Sequence, residues 1–236
     1  MKLINDFSVT AWKRPVLASY LPPNGTPTPQ LVLDFSRSLY AVAGRIVDLP
    51  ITLTRASTAT YFDSSGVLKT AAADAPRFDH DPVTGEARGL LIEESRTNMV
   101  MLSENFSAWA TDDVTVTSDA ETAPDGALSA DNIVEAATTA QHRVKQVVYV
   151  TAGTRYTVSV FARSPNRGVR ILAWTSDWSA TTTADLQAGT VTAASGSAAV
   201  GSEITPLDGE WYRVSLTFDA AATDIMQVMF YLDDYS

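Results

Sequence analysis

The most regular pattern of apolar and polar positions lies between Arg143 and Ser164. In each half of this stretch, side chains of one face recur at every second position, as they do in an extended strand. Between the halves, Thr151–Thr154 includes a glycine, which accepts the positive φ of a tight turn. We therefore predict two strands that pair as a β-hairpin. Its two core-facing series are Val144, Gln146, Val148, Val150 and Tyr156, Val158, Val160, Ala162.

The same alternation recurs through residues 99–236, and helical periodicity is nearly absent. About eight strands at intervals of about ten residues are typical of a two-sheet β-sandwich. The pattern predicts an all-β protein, with the hairpin at the centre of the sandwich. The other predicted strands are Val114–Thr117, Ala130–Val134, Arg170–Trp174, Asp185–Val191, Trp211–Phe218 and Met226–Leu232.

Residues 31–98 predict a smaller β-rich region of short hairpins. Two hairpins are expected over residues 58–70 and 76–93, with turns at Asp63–Gly66 and Asp81–Gly85. Asp-Pro at the start and Gly at the end of the second turn suit a type I turn followed by a left-handed residue. The run Asp79-His80-Asp81 resembles a set of metal ligands, but the turn explains Asp81 without any metal ion.

Residues 1–30 combine five prolines with several large apolar side chains. Proline cannot donate a backbone hydrogen bond and favours extended geometry in the residue before it. We interpret this segment as an extended arm that lies on this protein or on a neighbouring subunit; a loose terminus is the alternative. Because such an arm needs a partner surface, we expect a homo-oligomer such as a trimer or pentamer.

Composition narrows the classes of function. The net charge of −10 argues against nucleic acid as a partner, because phosphate binding needs clustered Lys and Arg. With no cysteine, the chain has no disulfides, thiol nucleophiles or Cys-ligated zinc. Asn5 and Asp6 interrupt the first apolar run, so no export signal is visible. No segment approaches the roughly 20 apolar residues of a membrane span, so we predict no membrane insertion.

One long run resembles a known family. The run RASTATYFDSSGVLKTAAADAPRFDHDPVTGEARGLLIEESRTN (Arg55–Asn98) resembles a segment of structural proteins in tailed bacteriophages or gene-transfer-agent-like particles. There it occurs in head-spike, tail-spike or tail-fibre components. This resemblance implies a virion surface protein, made in the bacterial cytoplasm. Residues 1–98 would attach it to capsid or tail proteins, and residues 99–236 would project.

The strand pattern of residues 99–236 is similar to carbohydrate-binding jelly-roll modules attached to glycoside hydrolases. The matching pieces are TAPDGALSADNIVEA (Thr122–Ala136), QVVYVTAGTRYTVSVFAR (Gln146–Arg163) and DGEWYRVSLTFDA (Asp208–Ala220). This similarity implies a jelly-roll β-sandwich that binds host capsular or surface polysaccharide. In such modules a further strand follows the one that matches Gln227–Leu232. We therefore expect the sequence to belong to a longer protein; completion by an earlier segment or another subunit is the alternative, since an open edge promotes aggregation.

Aromatic and apolar side chains on the outer faces are the candidate sugar-binding residues. The pleat of a strand turns Trp174 and Tyr231 away from the apolar side, so we expect both on one exposed surface. Aromatic faces pack against the C–H face of sugar rings, which suits a shallow binding surface. Burial under loops or against another subunit is the alternative. The predicted carbohydrate-binding residues are Trp174, Tyr231, Phe161, Trp178 and Met229.

Metal binding and catalysis have less support in the sequence. No cofactor is predicted, although related modules often carry a structural calcium ion. Neither histidine belongs to a nucleophile motif such as G-x-S-x-G, and the adjacent acids Glu93 and Glu94 would point to opposite faces of a strand. A non-enzymatic binding protein is the leading prediction, followed by a structural connector and then a polysaccharide depolymerase. The calcium candidates are Asp112, Asp113, Asp233 and Asp234.

Overall fold

Antiparallel strands form almost all the regular structure of residues 31–43, 45–94 and 96–233, the part of the chain that the computed structural model describes. The chain divides into two compact units between Glu93 and Glu94. Short 3₁₀ turns at Phe106–Ala108 and Asp208–Glu210 are the helical elements of the described residues. These observations confirm the all-β prediction. The predicted arm at residues 1–30 lies outside the described residues.

No helix in the described part of the chain has the length and apolar character needed to cross a lipid bilayer.

The first unit is built from short hairpins. A three-stranded sheet in the order β1-β2-β3 precedes two separate hairpins, β4–β5 and β6–β7. The two hairpins confirm those that the sequence predicts over residues 58–70 and 76–93. The strands are β1 (Leu31–Asp34), β2 (Leu39–Val42), β3 (Arg45–Ile46), β4 (Ala59–Phe62), β5 (Leu68–Ala71), β6 (Phe78–His80) and β7 (Ala87–Leu90).

Buried polar contacts join the two hairpins of the first unit. Arg77 is buried, and its guanidinium donates to the carbonyl oxygen of Thr60 at 3.0 Å and to the carboxylate of Glu93 at 2.6 Å. The carboxylate of Asp79 accepts a hydrogen bond from the backbone N–H of Phe62 at 2.8 Å. The bonds to Thr60 and from Phe62 join different hairpins, so they set the position of one hairpin against the other.

The turns of the two hairpins also touch, backbone against backbone. A Cβ atom added at Gly66 would clash with the carbonyl oxygen of Pro82, and one added at Gly85 would lie 2.7 Å from the carbonyl oxygen of Ser64. Both glycines have a positive φ, which other residues adopt only with strain. Glycine is therefore required at both positions by conformation and by space.

The turn between β6 and β7 is organised by Asp81. Its Oδ1 accepts the backbone N–H groups of Val83 and Thr84 at 2.9 and 2.8 Å, and Arg88 pairs with Oδ2 at 2.7 Å. The bonds from Thr84 and Val83 lower the pKa of Asp81 to about 2. Turn chemistry thus accounts for this aspartate, as the sequence predicts.

The second unit contains two sheets that face each other. One has six strands in the order β15-β14-β13-β18-β11-β8, the other three in the order β12-β17-β16, and β9–β10 is a separate hairpin. The strands are β8 (Ala110–Asp112), β9 (Val114–Thr122), β10 (Leu128–Glu135), β11 (Arg143–Val150), β12 (Arg155–Ala162), β13 (Gly168–Trp174), β14 (Ser179–Asp185), β15 (Thr190–Val191), β16 (Ala199–Pro206), β17 (Tyr212–Asp219) and β18 (Asp224–Asp233).

The core lies between these sheets and confirms the predicted β-sandwich. Phe218 on β17 is fully buried, and its ring lies 5.9 Å from that of Tyr156 and 5.7 Å from that of Trp178. On the larger sheet, Phe230 stacks on Trp109 with ring centroids 5.6 Å apart. The larger sheet contributes Val144, Val148, Val150, Ile171, Ala173, Met226 and Val228, and the smaller one Val158, Val214 and Leu216.

The predicted pairing of β11 with β12 is wrong. β11 pairs with β18 and β8, whereas β12 pairs with β17. A turn does form at Thr151–Thr154, with Gly153 at φ 72°. This turn leads the chain from the six-stranded sheet to the three-stranded one. Backbone hydrogen bonds of Gly153 and Thr154 with Ala220 hold it at the end of β17, a strand of the three-stranded sheet. Alternation identifies the buried face of each strand but not its pairing partner. Two consecutive strands show the same alternation whether they pair as a hairpin or lie in two facing sheets.

A disulfide test can separate the two pairings, because the chain has no cysteine of its own. Thr157 and Thr217 are direct partners on β12 and β17, with their hydroxyl oxygens 3.0 Å apart. We expect Thr157→Cys with Thr217→Cys to form a disulfide under mild oxidation, since opposite Cβ atoms lie within bonding range. The measurement is gel mobility and mass after oxidation.

The matched control is Thr157→Cys with Tyr149→Cys. These exposed positions would face each other in a hairpin with a five-residue loop, but here they lie on the outer faces of different sheets. An intramolecular disulfide in this control, with none in the first pair, would contradict the observed pairing.

A second test uses the pH dependence of the Asp81 turn. Since the pKa of Asp81 is about 2 in the folded state and 3.8 ordinarily, the carboxylate stabilises the turn above pH 3.8, and this stabilisation is lost as the pH falls towards 2. In Asp81→Asn the amide oxygen can still accept the two backbone bonds but carries no charge. We expect amide hydrogen exchange at Val83 and Thr84 to be faster in this variant at pH 5, and the difference to disappear near pH 2. A difference independent of pH would contradict this role.

Candidate functional site

The outer face of the six-stranded sheet places side chains from β11, β18 and β13 in rows. Residues directly opposite in an antiparallel ladder share a face, so each row runs across three strands. The row of Arg143, Tyr231 and Arg170 forms one end of this face. The following rows are Lys145, Met229 and Leu172, then Val147, Gln227 and Trp174, and finally Tyr149 with Ile225.

One end of this face is apolar and exposed. We define the outer-face patch as Val147, Tyr149, Trp174 and Ile225, all of which are exposed, with Trp174 at 42%. Trp174 and Val147 lie two strands apart in the same row, about 10 Å by the spacing of a sheet. Tyr149 follows one row further along β11. Regular strands thus hold two aromatic rings on one surface, with Gln227 between Trp174 and Val147.

The other end of the face is charged and centred on Tyr231. The Tyr231 hydroxyl accepts a hydrogen bond from Nη1 of Arg143, and Cζ of Arg170 lies 4.0 Å from the centre of the tyrosine ring. Arg143 also approaches the ring, with Cζ at 5.2 Å. Tyr231 is therefore held between two guanidinium groups, a favourable arrangement for a ring whose faces carry negative potential.

Asp112 on the edge strand β8 binds two of the cations beside Tyr231. Arg143 donates Nε to Oδ2 at 2.6 Å, and Nζ of Lys145 lies 2.9 and 2.7 Å from the two carboxylate oxygens. The hydrogen bonds from Lys145 and Arg143 lower the pKa of Asp112. The carboxylate is therefore ionised at neutral pH. We refer to Asp112, Arg143, Lys145, Arg170 and Tyr231 as the charged cluster.

Three of the predicted carbohydrate-binding residues are buried, and the expectation that they are exposed is wrong. Tyr231 is only 4% exposed, and Met229 beside it is equally buried. Both point outward as the pleat predicts, but the long side chain of Arg143 lies over them, with Nη1 at 3.4 Å from the Met229 sulfur. Trp178 lies in the core against Phe218. None of the three offers an accessible side-chain surface to a sugar.

Trp174 and Phe161 are exposed but lie on different surfaces. Phe161 belongs to β12 and therefore to the outer face of the three-stranded sheet. Trp174 lies on the opposite side of the sandwich, so the structure does not bring the two together. Sequence reasoning missed Tyr149 and Ile225 as partners of Trp174. The signal was present, since both occupy the outward positions of strongly alternating strands.

The structure does not bring the predicted calcium ligands together as one site. Both carboxylate oxygens of Asp112 accept hydrogen bonds from cationic side chains. Asp113 lies in the turn between β8 and β9, and the Asp233 carboxylate lies 3.5 Å from Nε of Arg170. Asp234 lies outside the described residues. Within the described ranges no group of three or more His, Cys, Asp or Glu could hold a metal ion.

The residues considered for catalysis make local structural contacts. Glu93 pairs with buried Arg77. His142 places Nδ1 2.8 Å from the carbonyl oxygen of Asp113 and Nε2 3.3 Å from that of Thr138. These two acceptors raise the pKa of His142, the contact with Asp113 most strongly. Such a histidine links two loops, and its geometry does not favour a role as a general base.

Comparison with known proteins found neither a matching protein-family model nor a matching curated protein. The bacteriophage resemblance of Arg55–Asn98 therefore stays a prediction.

The different burial of Tyr231 and Trp174 leads to a stability prediction. Tyr231→Ala should lower the free energy of unfolding by about 3 kcal/mol or more, because it removes a buried aromatic ring and the hydroxyl that Arg143 contacts. Trp174→Ala should lower it by no more than about 1 kcal/mol, since Trp174 lies on the outer face of the sheet and keeps 42% of its surface exposed. Urea denaturation of both variants measures the difference. Equal losses in the two variants would contradict the assigned environments.

Proposed function

We propose that this is a non-enzymatic surface protein of a bacteriophage-like particle that binds host-cell polysaccharide through the outer face of the six-stranded sheet. The outer-face patch is the observation that carries the proposal. Exposed aromatic rings of Trp174 and Tyr149 share one sheet face with polar side chains. This combination suits a sugar chain, because rings pack on sugar C–H faces while polar groups bind hydroxyls.

The form of the surface favours a polymer over a small ligand. The patch extends across β11, β18 and β13 and along the strands, rather than lining an enclosed cavity. Strand positions hold side chains more firmly than loops do, so little ordering is needed on binding. An extended polysaccharide can contact several of these side chains at once, so that many weak contacts together give a higher affinity.

Attachment to the particle is assigned to the first unit. The resemblance of Arg55–Asn98 supports this assignment. So do the hydrogen bonds of Arg77 and Asp79, which hold the hairpins of the first unit in a fixed arrangement. The first unit also exposes apolar side chains, including Val83 and Ile92. Exposed apolar side chains of this kind are suited to contact with capsid or tail proteins, or with another copy in a homo-oligomer.

A structural connector that holds another fibre is the second candidate. The exposed apolar side chains at Ile92 and Met101 favour it, because a connector needs protein-binding surfaces at more than one place. A connector would not bind host polysaccharide, so adsorption measurements separate the two functions.

The test of the proposal is the adsorption of Trp174→Ala to host cells or their purified polysaccharide. We expect adsorption to weaken by roughly 1–3 kcal/mol, the range found for aromatic stacking on nucleic-acid bases. Phe161→Ala is the matched control, because it removes an exposed aromatic ring from the opposite side of the sandwich. It should leave adsorption unchanged. Equal adsorption of wild type and both variants would contradict the proposed role of this surface in binding.

A further inference from the structure

Arg170 has hydrogen-bonding capacity that its surroundings do not use. Its guanidinium stacks on the Tyr231 ring, and its Nε is buried without a hydrogen-bond partner among the described residues. The Asp233 carboxylate lies 3.5 Å from Nε, close enough for an ion pair but without a formed hydrogen bond. The side chain keeps 36% of its surface exposed. The contact with the Tyr231 ring therefore holds the guanidinium in place, while part of the side chain remains exposed.

The cations around Tyr231 outnumber the carboxylates that neutralise them. Arg143 and Lys145 share Asp112, and Arg170 faces Asp233. Among the described side chains in these ion pairs, three are positive and two negative, which leaves an excess of one positive charge. The whole chain carries −10, so this spot differs in sign from the protein around it. A local excess of positive charge on an acidic protein favours the binding of an anionic group at that place.

We propose that the charged cluster binds the carboxylate group of an acidic polysaccharide, of the uronic acid type, while neighbouring sugar rings lie on Trp174. This inference rests on the proposed function and adds the chemical class of the glycan. A guanidinium presents two parallel N–H donors that match the two oxygens of a carboxylate. Arg170 is already held by Tyr231, so binding would cost little side-chain order.

The spacing of the two contacts suits a polymer. Arg170 and Trp174 lie on the same face of β13, four residues apart, which corresponds to about 13 Å along a strand. Leu172 lies between them on the same face. A sugar chain that runs along β13 could therefore place one carboxylate at the charged cluster and a later ring on Trp174.

The experiment compares polygalacturonate with its fully methyl-esterified form, which has the same sugar backbone without the charges. We expect the wild-type protein to bind polygalacturonate at least tenfold more tightly in affinity electrophoresis, and the preference to fall as salt is added. Arg170→Gln should remove most of the preference without changing binding to the ester. Arg170→Lys should restore part of it, because the charge returns without the fork.

Arg155→Gln is the matched control for charge. Arg155 is exposed and pairs with Asp219 in the three-stranded sheet, on the other side of the sandwich, so this variant loses the same charge at a distant place. It should keep the full preference for polygalacturonate. Thermal melting of each variant checks folding, and Lys145→Gln replaces Arg170→Gln if the latter does not fold.

The outcomes separate the two proposals. Equal binding of both polymers, or equal losses in Arg170→Gln and Arg155→Gln, would overturn the carboxylate assignment while leaving polysaccharide binding in place. Tighter binding of a phosphate-bearing polymer than of polygalacturonate would overturn it as well. Binding of neither polymer by wild type, together with no adsorption to host polysaccharide, would overturn the proposed function itself. A preference lost in Arg170→Gln and kept in Arg155→Gln supports the carboxylate site.

Discussion

The packing of two apolar sheet faces against each other is the interaction on which the second unit depends. Phe218 is fully buried between aromatic neighbours, and Ile171 on the opposing sheet is equally buried. Removing side chains of this size from a core typically costs several kcal/mol, a large part of the stability of a domain. With the inner faces committed to this core, the outer faces are left for solvent or for a ligand.

Strand β18 is central to both roles. It lies between β11 and β13, so its backbone is paired on both sides. Met226, Val228 and Phe230 enter the core, while Met229 and Tyr231 are buried on the other face beneath charged neighbours. Burying Tyr231 there is favourable because its hydroxyl and ring both find cationic partners. The charged cluster thus has a structural role in the sheet that does not depend on the binding role proposed for it.

The first unit is stabilised by a different means. Its strands are short, and its hairpins are joined by the buried guanidinium of Arg77 and by the turn glycines Gly66 and Gly85. A small region has little apolar surface to bury, so directional polar contacts and close backbone packing contribute a larger share of its stability. This fits a unit proposed to present a defined surface to a particle.

The sequence alone determined the fold class, the hairpins of the first unit and the buried face of the main strands. These follow from local pattern: alternation with a period of two and turns with Asp and Gly at defined positions. Strands with weak alternation were not found, such as β16, which contains Gly201 and ends at Pro206. For β14, a run of Ala and Thr gave no apolar contrast to detect.

Only the tertiary structure decided which strands pair and which outward side chains are covered. The alternating faces of β11 and β12 are the same in a hairpin and in two facing sheets, so pairing depends on contacts with β18 and β17. The exposure of Tyr231 likewise depends on two arginines from neighbouring strands, far apart in sequence. Trp174 has no such cover and stays exposed. The pleat sets the direction of a side chain, whereas its burial is set by neighbours that the chain brings together only on folding.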